Sequence, residues 1–198
     1  MGRRSDHSRE ELREIIISAG HRQMLEVGFS HFSAREVAKR VGYSIGTLYN
    51  VFGSYDGLIL AINGRTLDLW RGHLETRLKA VEDGDDRLAA AINAYFEFAI
   101  INRHAWTALY DFRLPDDIEP PDRYREKVAA IIKVVEREIA ATLPTARKTD
   151  APALARSLLA TVHGHCFFAL NGTFRMLGED NPLEAARERV ADALAKYL

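Results

Sequence analysis

Three things are scarce in this sequence: cysteine, net charge and long apolar runs. A single thiol, Cys166, rules out an intrachain disulfide and fits a reducing compartment, so a cytoplasmic protein is expected. Its apolar neighbours point to an inert, buried thiol. The net charge of −1 gives no bulk signal for a polyanionic partner. The opening residues Met-Gly-Arg-Arg-Ser-Asp lack the apolar core of a signal peptide. No apolar run is seen to approach the ~18 residues of a membrane span, so no membrane partner is expected. Internal repeats and low-complexity tracts are missing too, as are a nucleophile–base pair and a glycine-rich phosphate loop. His163 and His165 are two apart and point different ways on a helix, so they cannot chelate one metal. Neither a metal nor a cofactor is expected.

What the sequence does have is a pair of short helices over residues 33–58. Ser33 followed by Glu36 has the form of a capping box, which starts a helix. Val37, Ala38 and Val41 give that helix one apolar face. Gly42 then ends it, because glycine reaches the left-handed conformation without a Cβ penalty. Ser44 caps a second helix over about Ile45 to Val51. Two helices joined by a three- to four-residue turn form a helix-turn-helix. Leu48 and Phe52 should pack inward, leaving Thr47, Tyr49 and Asn50 outward. Upstream, Ser8 and Glu11 form another capping box, and Leu12, Ile15, Ile16, Ala19, Met24, Leu25 and Val27 mark a longer helix closed by Gly28. Phe29 and Phe32 fill the space between it and the helix-turn-helix. The module covers about residues 8–56.

Between Val41 and Tyr55 there is no Asp, Glu, Lys or Arg. A helix bearing Ser, Thr, Tyr, Asn and glycine in place of charge suits a DNA groove. Hydroxyls and helix N-terminal amides grip phosphates, and bases are read by hydrogen bonds and by contact with the thymine methyl. Gly46 admits the backbone closely, Ile45 can touch a methyl, and Arg35 at the start of the first helix can read a guanine. Across residues 1–56 eight Arg and Lys face seven Asp and Glu, a net +1, so the positive groups must be sorted onto one face. Arg3 and Arg4 sit on an arm that could reach the adjacent groove or remain a solvated tail.

At these residues the chain resembles the TetR family of bacterial transcriptional regulators. The resemblance rests on Phe32-Ser33, Val37-Ala38, Val41-Gly42, Ser44, Gly46-Thr47-Leu48-Tyr49, Phe52, Ser54 and Leu58, and covers about 50 residues. It implies an all-helical homodimer with a DNA-binding N-terminus and a C-terminal domain that binds a small effector. It also implies phosphate contacts from Thr47 and Tyr49, and contacts from Ser33 and Arg35 on the second helix. Tyr55 stands where the family often has a phosphate-gripping Lys, and Val51 where it often has His or Tyr. Further on, Val162-His163-Gly164 resembles a triplet found in one C-terminal domain type of the family.

The rest of the chain also reads as helices: 56–82, 85–102, 104–112, 122–143, 151–177 and a narrow apolar seam from Leu183 to Tyr197. Pro115, Pro120 and Pro121 make 113–121 a loop, and 144–150 is a linker. Gly57, Gly64 and Gly72 interrupt the first of these helices, either for close backbone packing or because that helix must shift. The expected fold class is all-α. A helix-turn-helix domain over 1–56 precedes a helical effector-binding and dimerisation domain over 57–198.

The last two helices, about 151–177 and 182–198, carry more apolar face than one small domain needs. They are expected to pair with their copies in a homodimer. Phe98, Trp106, Tyr110, Phe112, His163, Phe167 and Asn171 make an aromatic set with polar points, the make-up of a ligand pocket. Ser33, Arg35, Ser44, Ile45, Gly46, Thr47, Tyr49, Asn50 and Tyr55 are the DNA-facing set. The expected function is a ligand-responsive repressor, released from a palindromic double-stranded operator by a small apolar or aromatic effector. The alternatives are a constitutive or activating DNA binder without an effector, and a helical enzyme using the aromatic cavity.

Overall fold

The computed structural model describes residues 7–82 and 86–197. The arm with Arg3 and Arg4 and the expected helix start at Asp85 lie outside them. Among the described residues there are helices and turns and no strand. The helices are α1 (Arg9–Val27), α2 (Ala34–Val41), α3 (Ile45–Phe52), α4 (Tyr55–Lys79), α5 (Arg87–Ile101), α6 (Arg103–Asp111), α7 (Asp122–Thr142), α8 (Ala151–Asn171), α9 (Thr173–Leu177) and α10 (Pro182–Ala195). Short 3-10 turns occupy Phe29–His31 and Thr145–Asp150, the second replacing the expected linker.

Two compact units emerge, and they are not separated by one cut after residue 56. Met1–Asp68 joins Asn102–Arg125, and Leu69–Ile101 joins Glu126–Leu198. In the first unit, Ile16, Met24, Val37, Leu48, Leu58, Ile59 and Ile62 are fully buried together with Ala105 and Ala108 of α6. The small alanines let α6 approach closely. Asn63 Nδ2 donates to the Ala108 carbonyl at 3.1 Å, His104 Nδ1 lies 3.0 Å from the Leu25 carbonyl, and Phe112 sits edge-on to Phe29 at 5.8 Å. These contacts fix 102–112 in the N-terminal unit, although in sequence the segment lies far downstream of it.

The second unit is built from the later part of α4 with α5, α7, α8, α9 and α10. Its core includes Leu74, Leu78, Ala94, Val134, Ile139, Leu158, Val162 and Val190. The Arg87 guanidinium ties three helices. It donates to the Leu78 carbonyl at 2.9 Å and to both oxygens of buried Glu138 at 2.8 and 3.3 Å. Arg137 adds bonds of 2.9 and 3.0 Å to the same carboxylate.

The expected helix 151–177 is broken. Gly172 takes φ 82°, ψ 4°, ending α8 and starting α9 as a separate turn. One apolar stretch also exceeds expectation. An 18-residue window within Thr145–Asn171 reaches a mean hydropathy of 1.2, enough by length and composition for a membrane span, and only 28% of it is buried.

Candidate functional site

The helix-turn-helix is assembled from local bonds. α2 starts where the Glu36 amide donates to Ser33 Oγ at 3.3 Å. The reciprocal half of the expected box is not made by Glu36. The Ser33 amide donates instead to Gln23 Oε1 of α1 at 3.2 Å, so the cap is completed from another helix. Glu36 turns to Arg40, whose guanidinium also meets Glu26 at 2.7 Å. α2 ends as expected. Gly42 takes φ 76°, its amide donates to the Lys39 carbonyl, and the Tyr43 amide donates to Ala38 at 3.0 Å, the Schellman pattern.

α3 starts at Ser44, whose Oγ accepts from the Thr47 amide at 3.1 Å and lies 2.9 Å from Thr47 Oγ1. Leu48 is its buried anchor, and Ile45, Val51 and Phe52 are partly buried on the same core. The Arg13 guanidinium lies 4.8 Å from the Phe52 ring centroid and covers it. Ser44, Gly46 and Asn50 are exposed, while Thr47 and Tyr49 are half-buried. Arg35 is exposed one turn before exposed Lys39, on a side of α2 distinct from the Arg40–Glu26 contact.

The chain bends sharply from α3 into α4. Ser54 Oγ accepts from the Gly57 amide at 3.0 Å. Gly57 approaches the end of α3 so closely that a Cβ there would lie 2.2 Å from the Phe52 carbonyl oxygen. Tyr55 opens α4 half-buried, 6.4 Å from the Phe32 ring, and burial raises its phenol pKa above the ordinary value. It therefore offers a neutral hydroxyl. Eight of the nine DNA-facing candidates lie on α2, α3 and their caps, with Tyr55 next to them.

The aromatic set is not brought together in the same way. Trp106, Tyr110 and Phe112 belong to the first unit, where Trp106 is fully buried and edge-on to Tyr110 at 5.2 Å. Phe98, His163, Phe167 and Asn171 belong to the second. His163 Nδ1 lies 2.9 Å from Tyr95 Oη, its ring stacks on Phe167 at 5.9 Å, and burial lowers its pKa. Phe98 lies 5.9 Å from the His73 ring, and Asn171 Oδ1 accepts from the Thr173 amide at 2.9 Å. Cys166 is fully buried, and burial pushes its thiol up to about 12.

Two spaces in the second unit are lined by other residues. One is an open groove of about 710 Å³ that includes Phe96, Leu170 and Leu183 with Glu97, Asp180 and Arg187. Arg187 is held there by Asn93 Oδ1 at 2.6 Å and Glu184 at 2.9 Å. The other is a half-open recess of about 50 Å³ lined by Trp70 and aliphatic side chains, among them Leu74, Ala91, Leu159 and Val162. Trp70 and Leu74 are buried core residues, and nothing in the sequence shows that space is left beside them. Among the described residues no group of three or more His, Cys, Asp or Glu could hold a metal ion.

Comparison with known proteins adds lineage to this geometry. Residues 16–62 match the family model described as bacterial regulatory proteins, tetR family, and residues 88–194 match the tetracyclin repressor-like C-terminal domain. The HTH-type transcriptional regulator BetI of Burkholderia mallei is 30% identical over 159 residues, covering 79% of this chain and 80% of that protein. The HTH-type transcriptional regulator Rv1816 of Mycobacterium tuberculosis is 28% identical over 158 residues, 76% of this chain, which spans 65% of that relative's length. Among solved structures, the multidrug binding protein EbrR complexed with imidazole superposes with a TM-score of 0.63 at 22% identity, covering 94% of this chain and 95% of that one. The chain belongs to the TetR family of DNA-binding transcriptional regulators.

Proposed function

We propose that this regulator is a ligand-responsive repressor that acts in the cytoplasm as a homodimer, has no catalytic role, and leaves its operator when a small apolar effector binds. One observation carries the DNA-facing part. α3 is held by buried Leu48 while uncharged Ser44, Gly46 and Asn50 stay exposed, as does Arg35 of α2. Under this reading Ser33, Arg35, Ser44, Ile45, Gly46, Thr47, Tyr49, Asn50 and Tyr55 form the interface, and Arg35 reads a guanine.

The dimer reading is supported by α8 and α9. Phe167 and Phe168 are 37% and 40% exposed, Met176 and Leu177 are 82% and 67% exposed, and a Cβ at Gly164 would meet nothing within 4 Å. An uncovered apolar surface of this kind marks an association site. A second copy seated on it gives a two-fold pair reading a palindrome-like site. EbrR, which shares this fold, is a multidrug binding protein and its structure is complexed with imidazole, which supports a small-molecule role here. Domain roles follow: DNA contact from the N-terminal module, effector binding and dimerisation from the rest.

The test is a mobility-shift titration on the DNA flanking the gene, with sedimentation analysis alongside. A specific shift by a dimer, lost on adding an effector, supports the reading. A strictly monomeric protein that ignores DNA of every sequence refutes it.

A further inference from the structure

Two side chains of α1 hold the two ends of α2. Gln23 and Glu26 are three residues apart, which puts them on one side of α1. Gln23 Oε1 accepts from the Ser33 amide at 3.2 Å, at the start of α2. Glu26 meets the Arg40 guanidinium at 2.7 Å, in its last turn. The two contacts differ in weight. The Arg40–Glu26 pair is exposed, and an ion pair in water contributes little. Gln23 is buried, only 3% exposed, and its oxygen satisfies a part-buried main-chain amide. Leaving such an amide unpaired costs its desolvation. The donor is an N–H, so the carboxamide oxygen must face it, and this fixes which way the Gln23 amide is turned.

That bond supplies what apolar packing does not. Ile16, Met24, Val37 and Ala38 of α1 and α2 are buried in one cluster. Hydrophobic contact is non-directional, so it sets the spacing of two helices better than their sliding or rotation. A capping box closed within α2 would fix the conformation of the first turn and not its location. Instead Glu36 contacts Arg40 at 3.7 Å, and the Ser33 amide is taken by α1. The start of α2 is thereby located relative to α1. Arg35 is the second residue of α2 and is exposed, so a displacement of Ser33 is passed to it within the same turn.

We propose that Gln23 is a positioning residue for operator reading: without touching DNA itself, it holds the first turn of α2 where Arg35 reaches its base. The proposal rests on the assignment of Arg35 as a base reader made above.

The experiment uses the full chain and a duplex that it selects from a randomised pool. Every single-base-pair variant of that duplex and one unrelated duplex complete the set, with affinities read by fluorescence anisotropy and stability by thermal melts. Arg35→Ala should lose discrimination at one base pair by roughly fivefold or more. Gln23→Leu should lose roughly two- to tenfold at that same base pair, the equivalent of one hydrogen bond, and keep parental affinity for the unrelated duplex. The double variant should discriminate no worse than Arg35→Ala alone, because both changes remove one contact. Gln23→Glu retains an acceptor oxygen and should retain the discrimination. If Gln23→Leu folds poorly, Gln23→Met removes the acceptor with an unbranched chain and is scored in the same way.

A lowered Tm with discrimination intact in the variants lacking the acceptor makes Gln23 a stability residue and overturns the proposal. Losses that add in the double variant overturn it too, since Gln23 then acts by a route other than Arg35. The two assignments fail separately. Arg35→Ala that discriminates like the parent refutes the base reading, and the positioning role falls with it. Loss in Arg35→Ala without loss in Gln23→Leu refutes the positioning role alone.

Discussion

Gly57 and Gly72 stand in one helix, and the same substitution at each should act in opposite directions. A Cβ at Gly57 would sit 2.2 Å from the Phe52 carbonyl oxygen and 3.3 Å from its carbon, while one at Gly72 would meet nothing within 4 Å. Ordinary contact begins near 3.4 Å, so Gly57→Ala forces a retreat of about 1.2 Å, the difference between 3.4 and 2.2 Å. Because the obstacle is backbone, no rotamer change relieves it. Overpacking of this kind costs about 1–3 kcal/mol, against a helix-propensity gain of about 1 kcal/mol. Gly72→Ala keeps only the gain, which in a chain of this size raises Tm by about 2–4 °C.

The functional consequence separates them further. Phe52 is the last residue of α3, so the retreat displaces the proposed recognition helix by more than the roughly 0.5 Å range of hydrogen-bond lengths. Operator affinity of Gly57→Ala should fall by about tenfold or more, equivalent to at least ~1.4 kcal/mol. Gly72→Ala should keep parental affinity. Thermal melts and fluorescence anisotropy on labelled operator DNA read both quantities. Equal stability and equal affinity for the two variants would refute the close approach at the α3–α4 bend.

Further outcomes are expected for the basic residues of α2, for Glu138 and for Cys166. Arg35→Ala should cost about 1–3 kcal/mol of operator binding and relax specificity at one base. Lys39→Ala should weaken all sequences alike and flatten the log-affinity against log-salt slope by about 0.9 per subunit. Arg40→Ala, whose guanidinium is already engaged by Glu26, should do neither. Burial pushes the Glu138 pKa up, but hydrogen bonds and charge from Arg87 and Arg137 outweigh it and leave the carboxyl below its ordinary value. Its contribution is therefore full above the unfolded pKa of about 4.3 and is lost as pH falls through the folded value. Glu138→Gln should lower Tm at pH 7, at a cost of about 1–3 kcal/mol, and shrink the Tm difference between pH 7 and pH 3. With its thiol pushed up to about 12, Cys166 should resist iodoacetamide at pH 8 in the native protein and react after denaturation, as a mass shift would show.

The helix-turn-helix was legible because most of its boundaries depend on residues within four or five positions. Ser8 with Glu11, Gly42 with Ala38, and Ser44 with Thr47 all close their bonds locally. The Ser33 cap was only half legible, because its second partner, Gln23, comes from ten residues upstream. The same limit applies to α6. Ala105 and Ala108 look like generic helix residues, and only the packed core assigns them to the first unit. That assignment also divides the aromatic set: Trp106 and Phe112 fall in the first unit, Phe98 and Phe167 in the second. At Gly172 the apolar pattern runs through on both sides and hid the break. The small recess could not be read at all, since it arises from how ordinary Leu, Ile and Val side chains fail to meet.

The hydroxyl pair of Ser44 and Thr47 bears on any attempt to retarget this regulator. Each oxygen is already committed to its partner, and Ser44 also to a main-chain amide, so exchanging either one for a new base preference would loosen the scaffold that presents the helix. Arg35, Gly46 and Asn50 have no such duty among the described contacts, and Ile45 contributes only part of its surface to the core. A combinatorial library confined to these four positions would vary the reading surface while leaving its support intact.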